Sequence, residues 1–475
     1  MNKSSIRKLA GLLVLTVLLA AAPLAPAEEA PNVTELMNSY TELDLSPYLG
    51  KTVFINFFTE WCYYCMQEMP DIKALYDTYS EDELAIVLVH VWDGENADNT
   101  KAFAAAIDAC NKAGGGRVVV PAGLWKTGAI HFKSNVNLHL SENSEVRFSG
   151  DPQKYLPAVQ SSWEGLECFN YSPLVYAFEC ENVAITGSGT LRAEMDTWLK
   201  WMNRPQAHMD ALRKLYDMGS TDVPVEKRQM AVGENHLRPQ FLQFNRCKNI
   251  LLDGFKIRES PFWTIHIFKS QNGVLRNLDV KALSHNNDGV DFEMSKNFLV
   301  EGCKFCQGDD AIVIKSGRNR DGWRLATPSE NIVARNNTVE AGHGLLVIGS
   351  ELSGGVRNIY VENCEMKNNP IAPSICVLTV KTNYRRGGFV ENVRMKNIKA
   401  EIDGITLENI TCAESECAYK VIGDADLQPR NVVLKDVKIG KITKFLRQKI
   451  NCDDLKVENL AYGELTGPID RPAKK

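Results

Sequence analysis

Residues 357–364, Arg-Asn-Ile-Tyr-Val-Glu-Asn-Cys, are one copy of a pattern that recurs along most of the chain. The pattern is Asn-(Ile/Val)-x-φ-x-(Asn/Asp/Gly)-φ, where φ is apolar, and many copies lie roughly 23 to 34 residues apart, within the range of solenoid coils. Each copy is a short alternating β segment broken by Asn, Asp or Gly, residues that tolerate left-handed turns between solenoid faces. Other copies begin at Asn182, Asn249, Asn297, Asn331, Asn392 and Asn431.

These repeats predict an all-β fold, a right-handed parallel β-helix. Leucine-rich repeats are the competing architecture, but their Leu-x-x-Leu-x-Leu signature is absent from the sequence. Ahead of the repeats, an amphipathic helical pattern leads into a Gly-rich turn and a Val strand, which predicts an N-terminal helical cap over the first coil. We assign residues 93–470 to the β-helix domain. A helix-leaning stretch, Asp196–Met230, reads as an insertion that projects from the solenoid.

The first residues of the chain have the features of a targeting sequence. Lys3, Arg7 and Lys8 precede an apolar run from Leu9 to Leu24, and Ala25-Pro26-Ala27 supplies a small-x-small cleavage site. This order predicts a signal peptide over residues 1–27. We therefore expect an exported protein, periplasmic or extracellular, with no stable membrane span after cleavage.

The following segment, residues 28–92, predicts a strand, a helix and a second strand. Thr52–Phe58 is an apolar run, Trp61-Cys62-Tyr63-Tyr64-Cys65 stands at a helix start, and Leu84–Val91 is a second apolar run. This order resembles the front half of a thioredoxin-like domain, without its closing strands. A helix N-terminus lowers the pKa of a thiol, so Cys62 is the expected nucleophile and Cys65 the resolving cysteine.

Bulk composition limits the classes of partner. The chain has 475 residues and a formal net charge of -5, which argues against nucleic acid because phosphate binding needs a basic face. Its 13 cysteines do not imply a dense disulfide framework, since many lie within or beside apolar repeat segments, where Cys behaves as a small hydrophobe. The oligomeric state is left open.

Three short polar motifs interrupt the repeats: Asn286-Asn287-Asp288-Gly289, Gly308-Asp309-Asp310 and Gly342-His343-Gly344. Successive rungs of a parallel solenoid lie about 4.8 Å apart, so motifs at equivalent points of neighbouring coils meet in space. Three carboxylates and an imidazole on one face suit glycosidic bond cleavage. One acid, its pKa raised by like-charged neighbours, would protonate the leaving oxygen, and another carboxylate would activate water. An Asx ladder or a calcium site is the alternative, but histidine between glycines is a poor calcium ligand. We predict neither a metal nor a cofactor.

Together with Lys381, these motifs resemble, in order and residue type, the polygalacturonases of glycoside hydrolase family 28. The resemblance implies an inverting hydrolase acting on pectic polysaccharide or oligosaccharide that contains galacturonic acid. It further implies that Asp309 is the general acid and that Asp288 and Asp310 position and activate water. His343 would support that protonation pattern, and Lys381 would contact the carboxylate of the sugar.

The chain also departs from the family pattern. Thr379 stands where members often carry an arginine, and Arg385 or Arg386 is the expected replacement for that cation. The spacing near Ala400 is shorter than expected. Further candidate cleft residues are Arg238, Trp263 and His266, with Trp163 and His208 beside them; for His266 a satisfied core role is favoured.

Three functions from different classes remain open at this point. The first is a pectin-cleaving hydrolase, which the projecting insertion would make exo-acting if it walls one end of the cleft. The second is a thiol-disulfide oxidoreductase that uses Cys62 and Cys65. The third is a non-catalytic solenoid that binds polysaccharide. A lyase is a weaker alternative, because β-helix lyases depend on calcium and an Arg or Lys base.

Overall fold

The computed structural model describes most of the chain from the cap onward and parts of the segment before it. The predicted signal peptide (except for Leu15–Leu18), Cys62 and the suspected shortening after Ala400 lie outside the described residues. The described ranges are 15–18, 52–58, 63–78, 85–90, 98–367, 376–400, 405–408, 411–415, 417–422, 432–450, 452 and 454–470.

The N-terminal segment forms a three-stranded sheet with one helix. Strands Thr52–Phe58 and Ala85–His90 pair in parallel, helix Tyr63–Thr78 runs between them in sequence, and both strands and the helix were predicted. The strand Leu15–Leu18, which pairs antiparallel with Thr52–Phe58, comes from the apolar run of the predicted signal peptide.

Three long parallel sheets form the parallel β-helix that the repeats predicted. Sheet A contains Gly116–Val120, Val136–Leu140, Glu181–Gly187, Lys248–Asp253, Gln271–Arg276, Lys296–Glu301, Ser329–Arg335, Val356–Glu362 and Val390–Lys396. Sheet B contains Gly123–Thr127, Ser144–Phe148, Thr190–Ala193, Lys256–Arg258, Asp279–Ala282, Lys304–Gln307, Thr338–Ala341, Glu365–Met366 and Lys399–Ala400. Sheet C contains Ile130–His131, Val175–Phe178, Leu242–Asn245, Ile265–Phe268, Val290–Glu293, Ile312–Lys315, Gly344–Gly349 and Cys376–Lys381.

The last coils continue the same parallel pairing in three shorter sheets. One contains Ile405–Glu408, Val432–Lys435 and Leu455–Glu458; the next contains Thr411–Ser415, Lys438–Ile442 and Ala461–Leu465; the last contains Tyr419–Ile422 and Arg447–Ile450. Two short 3-10 helices, Pro152–Tyr155 and Val225–Lys227, and the α-helix Asn319–Leu325 lie in connections between strands.

The helix Thr100–Lys112 covers the first coil, as predicted. It buries Phe103, Ala106, Ile107 and Cys110, which join the single large apolar core that runs inside the coils. Such a cap is needed because the first rung would otherwise expose its interior to water.

Every second side chain along the strands points into the core. In the strand Val136–Leu140, for example, Val136, Leu138 and Leu140 are buried and the residues between them are half-buried. Sheet C differs, because all four residues of Val290–Glu293 are buried. Val290 and Phe292 belong to the core, so Asp291 and Glu293 lie on the outer face beneath another layer.

That outer layer is a β-hairpin, Val159–Trp163 paired with Leu166–Asn170, together with a long excursion between Ala193 and Leu242. The excursion contains the helices Asp196–Met202 and Gln206–Ser220, so the helix-leaning insertion is confirmed. Hairpin and excursion share a second apolar cluster that includes Trp163, Leu166, Leu212, Leu215 and Phe262. A buried ion pair between Arg228 and Asp321 joins the excursion to the helix Asn319–Leu325.

A ladder of asparagine side chains runs along the turns into sheet A. Each Nδ2 donates to the Oδ1 of the asparagine one coil earlier, at 2.8–3.4 Å, from Asn182 bonding Asn135 to Asn392 bonding Asn358. These asparagines have positive φ, for example 64° at Asn297. The Asx ladder considered as an alternative for the polar motifs therefore exists, but it is formed by the Asn-(Ile/Val) repeats and not by the aspartates.

Replacing Asn297 tests how much the ladder contributes. Alanine loses the bonds to Asn272 and Asn331 and must also adopt a left-handed conformation, for a combined cost of about 1–3 kcal/mol. Asn297→Gly loses only the bonds and chain entropy, so we expect it to be less destabilising than Asn297→Ala. Denaturant unfolding measures both, and an alanine variant as stable as the glycine variant would contradict the role of the positive φ.

Candidate active site

The three polar motifs lie where neighbouring coils enter sheet C. Asp288 precedes the strand Val290–Glu293, Asp309 and Asp310 precede Ile312–Lys315, and His343 precedes Gly344–Gly349. Strand pairing places Val290 beside Ile312, and Ile312 beside Leu346, so the motifs stack as predicted.

One pocket of about 550 Å³ gathers the acidic motifs and Lys381. Its lining residues are Glu164, Trp263, Asn286, Asp288, Asp309, Asp310, Lys315, Arg318, Gly349, Ser350, Glu351 and Lys381. Five of these residues are carboxylic acids and three are basic, so the pocket combines proton-transfer groups with cations that suit an anionic ligand.

Asp309 and His343 form a hydrogen-bonded pair, with 3.2 Å between Oδ1 and Nδ1. Burial alone would raise the pKa of Asp309, but the hydrogen bond and charge of His343, helped by Lys381, hold it below its ordinary value. The same hydrogen bond raises the pKa of His343, against the effect of its partial burial. The sequence analysis expected like-charged neighbours to raise the pKa of the proton donor. The structure instead gives Asp309 an imidazole partner that shares its proton.

Asp310 is 3% exposed, and its Oδ2 accepts a hydrogen bond of 2.8 Å from Lys381 Nζ. Its other oxygen, Oδ1, accepts no hydrogen bond from the described residues. Burial raises the pKa of Asp310 above its ordinary value, against the lowering by Lys381. Oδ1 is itself buried against Gly344, and Lys381 fixes the other oxygen.

Asp309, Asp310 and His343 offer oxygen and nitrogen atoms that lie within 4.8 Å of one another, close enough to surround a cation. Lys381 already places its ammonium group 2.8 Å from Asp310, so the chain supplies a positive charge at this point.

Asp288 has a second carboxylic acid behind it, Asp291, which the sequence analysis did not identify. Both are buried, and neither oxygen of Asp291 accepts a hydrogen bond from a described donor. Burial and the neighbouring charge of Asp291 raise the pKa of Asp288 well above its ordinary value. Burial raises the pKa of Asp291 to about 8, against the lowering by Lys315. Since two adjacent buried carboxylates repel each other, the pair retains one proton between them at neutral pH.

Lys315 is the buried cation that these acids share. Its Nζ lies 3.6 Å from Asp291 Oδ1, 3.8 Å from Asp288 Oδ2 and 3.2 Å from Glu351 Oε2. It also sits 4.5 Å from the ring centre of Trp263, a cation–π contact. Burial would lower the pKa of Lys315, but the three carboxylates raise it well above its ordinary value, so the ammonium stays charged.

The remaining predicted binding residues divide between the pocket and the structure around it. Trp263 lines the pocket, whereas His266 lies behind it, fully buried, with hydrogen bonds of 3.0 Å to Glu293 and to Gln243. His266 is thus a satisfied core histidine. Arg238 is also buried and donates to Pro261, His285 and Asn286, which fixes the loop ahead of Asp288.

Neither proposed replacement for the missing arginine is among the residues that line the pocket. Arg386 is buried, donates to the Ser350 carbonyl and to Asn319, and lies 3.6 Å from Glu351. Arg385 bonds the hydroxyl of the exposed Tyr384. Arg318 is the arginine that lines the pocket instead.

Sequence reasoning missed Glu164, Asp291, Lys315, Arg318 and Glu351. Only Asp291 and Lys315 carried a local signal, because each interrupts an apolar strand of sheet C with a charge. Arg318 and Glu351 follow sheet C strands in irregular connections, and Glu164 comes from a hairpin more than a hundred residues upstream of Asp288. No periodicity marks such positions.

Comparison with known families agrees with this geometry. The sequence profile described as glycosyl hydrolases family 28 matches residues 226–466, just over half of the 475 residues, and the chain belongs to this family. A second profile, AhpC/TSA family, matches residues 26–119, which agrees with the thioredoxin-like resemblance of the N-terminal segment.

The structure is similar to that of a hyperthermoactive exopolygalacturonase from Thermotoga maritima, with 37% identity and a TM-score of 0.61 over 78% of this chain and 89% of that one. A family 28 exopolygalacturonase from Yersinia enterocolitica shares the fold at 20% identity and a TM-score of 0.55, over 81% of this chain and 77% of that one.

Among curated sequences, a probable polygalacturonase from Vitis vinifera is 25% identical over 319 residues, which is 65% of this chain and 58% of the relative. An exo-poly-alpha-D-galacturonosidase from Dickeya chrysanthemi is 25% identical over 65% of this chain and 54% of the relative. The chain thus spans a little more than half the length of these relatives. Within the described ranges, no helix combines the length and apolar content that crossing a bilayer requires.

Asp291→Asn tests the buried proton. The pKa of Asp291 in the folded protein, about 8, lies above the value near 4 of an unfolded chain, so folding takes up a proton in this window. The unfolding free energy of the wild type should therefore fall as pH rises from 5 to 8, by up to about 1.4 kcal/mol per unit. Asparagine does not titrate, so the unfolding free energy of Asp291→Asn should vary less with pH than that of the wild type.

Denaturant unfolding at several pH values measures this difference. Asp279→Asn, on the outer surface of sheet B, is the control and should keep the slope of the wild type. Equal slopes for wild type and Asp291→Asn would show that Asp291 is ionised in the folded protein.

Proposed function

We propose that this protein is an exported glycoside hydrolase that cleaves galacturonic-acid-containing pectic chains from one end, by an inverting acid/base mechanism. The observation that carries this proposal is the single pocket in which Asp288, Asp309 and Asp310 meet the cation of Lys381. Membership of family 28 and the 37% identity to a thermophilic exopolygalacturonase support it.

Proton donation to the leaving sugar oxygen is assigned to Asp309 together with His343. At acidic to neutral pH the pair carries one proton, because His343 has a raised pKa and Asp309 a lowered one. When the glycosidic oxygen gains negative charge, Asp309 transfers the proton and His343 replaces it through their hydrogen bond of 3.2 Å. His343 thus supplies the proton that replaces the one Asp309 gives up.

Water activation is assigned to Asp310 and Asp288. Asp310 lines the pocket, and Lys381 fixes its Oδ2 at 2.8 Å. Asp288 is the ionised partner when Asp291 holds the proton that the two share, and Lys315 at 3.8 Å stabilises the negative charge. A water held between these carboxylates would lose its proton as it attacks the anomeric carbon.

Two cations of the pocket, Lys381 and Arg318, are candidates for binding the carboxylate of an anionic sugar. The Lys381 side chain is 40% exposed and lies beside both Asp309 and Asp310, so it can reach a sugar carboxylate near the scissile bond. Arg318 is 12% exposed and already engaged by two carboxylates. Lys381 is therefore the better candidate for the uronate contact, which accords with the resemblance to the family.

Inversion rests on the family and not on the spacing of the acids. Nearest oxygens of Asp309 and Asp310 lie within 4.8 Å, below the separation of about 6.5–9.5 Å usual for inverting pairs. In this proposal the attacking water contacts Asp310 and Asp288. It does not occupy a gap between two carboxylates that face each other.

Export is proposed from the signal-peptide pattern of residues 1–27, and it agrees with a polymeric substrate outside the cell. The AhpC/TSA match keeps a thiol-disulfide function for Cys62 and Cys65 as a second candidate. Cys62 lies outside the described residues, so geometry supports only the hydrolase. A non-catalytic solenoid would bind pectic oligomers without releasing reducing sugar.

Asp309→Asn should lower the hydrolysis of polygalacturonate by at least about a hundredfold, because asparagine cannot donate the proton. Release of reducing sugar measures the rate, and the melting temperature checks that the fold persists. Asp279→Asn, outside the pocket, should keep the activity of the wild type. Full activity of Asp309→Asn would refute the assignment of the general acid.

Product analysis tests the direction and stereochemistry of cleavage. An exo-acting enzyme should release short product from the start while the long chains persist, and the new reducing end should appear as the β anomer if α linkages are inverted. Chromatography of early samples and NMR within the first minutes provide these readouts. A ladder of intermediate oligomers at early times would contradict exo action, and an α product would contradict inversion.

A further inference from the structure

The tip of the β-hairpin is locked into the pocket. Arg318 donates from its backbone N–H to the Gly165 carbonyl at 3.1 Å and from Nε to the Glu164 carbonyl at 2.7 Å. Gly165 has φ of 85°, and a Cβ there would lie 2.8 Å from Glu351 Cγ and 2.9 Å from the backbone nitrogen of Arg318. The tip is therefore packed against the wall of the pocket and cannot retract without breaking these contacts.

The Glu164 side chain is fixed by two donors on the same oxygen. Oε2 accepts hydrogen bonds from Tyr216 Oη at 2.5 Å and from Arg318 at 2.8 Å, and Arg318 also bonds Glu351 at 2.8 Å. Tyr216 comes from the helix Gln206–Ser220 of the excursion, and its ring lies 4.4 Å from the Arg318 guanidinium. Oε1 of Glu164 receives no hydrogen bond from the residues that the structure describes.

We propose that Glu164 recognises the non-reducing end of the substrate by accepting a hydrogen bond from the C4 hydroxyl of the terminal sugar. This inference rests on the proposed function and names a specificity residue for it. In a 4-linked galacturonan only the terminal sugar has a free C4 hydroxyl, because every internal sugar uses that oxygen in its linkage. A hydroxyl acceptor that lines the pocket therefore distinguishes a chain end from a chain interior.

Charge supports a hydroxyl over a carboxylate as the partner of Glu164. Arg318 is the only cation that contacts Glu164 among the described residues, and it is already paired with both Glu164 and Glu351. The carboxylate of a further galacturonate unit would have no hydrogen to donate to Glu164 Oε1, and the like charges of the two groups would repel each other. Glu164 thus favours the end sugar and disfavours a longer chain on the same side.

The test compares trigalacturonate with its 4,5-unsaturated counterpart, whose terminal ring lacks the C4 hydroxyl. For the wild type, kcat/KM should be at least about tenfold higher on the saturated trimer, because the carboxylate is left unpaired by the other substrate. In Glu164→Gln the amide oxygen should face Tyr216 and Arg318 and its NH₂ group the pocket. The ratio of kcat/KM on the saturated trimer to kcat/KM on the unsaturated trimer should then fall to about threefold or less.

Two further variants make the result specific. Tyr216→Phe leaves the carboxylate in place but removes one of its two fixing donors, so the preference should fall partly. Glu181→Gln breaks an exposed ion pair on sheet A and should keep the wild-type preference. Equal cleavage of both trimers by the wild type would overturn the proposal. An unchanged preference in Glu164→Gln, or an equal loss of activity on both trimers with the ratio preserved, would also overturn it.

Failure of the proposed function itself would have a different signature. If neither trimer is cleaved, calorimetry of the wild-type protein with each trimer tests the role of Glu164 in binding separately from hydrolysis. Tighter binding of the saturated trimer that disappears in Glu164→Gln supports end recognition without hydrolysis. Equal binding overturns the role of Glu164, and absence of binding overturns both.

Discussion

The register between successive coils is the constraint on which the site depends. Backbone hydrogen bonds between neighbouring strands of sheet C hold Val290, Ile312 and Leu346 in line, and the spacing of about 4.8 Å between rungs leaves no freedom to slide. Asp288 and His343 lie 55 positions apart in the sequence, yet each enters the sheet at the same edge. A slip of one residue in any of these strands would turn its side chains to the opposite face and displace the polar motif that precedes it.

Burial of so many acids requires a counterion, and Lys315 supplies it. Three carboxylates within 3.8 Å of one ammonium could not all remain ionised in a dry pocket without that charge. The shared cation and the proton held by Asp288 and Asp291 together keep the pocket from strong self-repulsion. The proposed substrate is anionic, so this balance would also limit the repulsion that an approaching sugar carboxylate meets.

Much of the fold was predictable because the same residue pattern recurs in successive coils of the solenoid. The asparagines with positive φ, such as Asn297 and Asn331, recur once per coil and mark the turn into sheet A. The polar motifs were found for the same reason, since equivalent positions on stacked coils must meet. Which arginine enters the pocket was not predictable: Arg386 follows Lys381 closely in sequence, but its guanidinium is held by Ser350 and Asn319.

Residues brought in by the overlying layer were beyond sequence reasoning. Burial of Asp291 and Glu293 depends on a hairpin that folds back over sheet C. The hairpin strands pair with each other and, through a bridge between Phe169 and Gln229, with the excursion. Contacts of the hairpin with Arg318 join positions 154 residues apart. Such contacts depend on tertiary packing of non-repeating segments, which leave no pattern in the chain.

The excursion between Ala193 and Leu242 interrupts one coil without changing the pairing on either side. Thr190–Ala193 pairs with the next strand of sheet B, and Val175–Phe178 pairs directly with Leu242–Asn245 in sheet C. The strand pairing thus accommodates a long insertion at this corner, while Trp198 and Trp201 of the insertion pack into the main apolar core. In the proposed hydrolase, changes in the rest of that segment would alter which part of a polymer is accepted without moving the acidic residues that the stacked coils position.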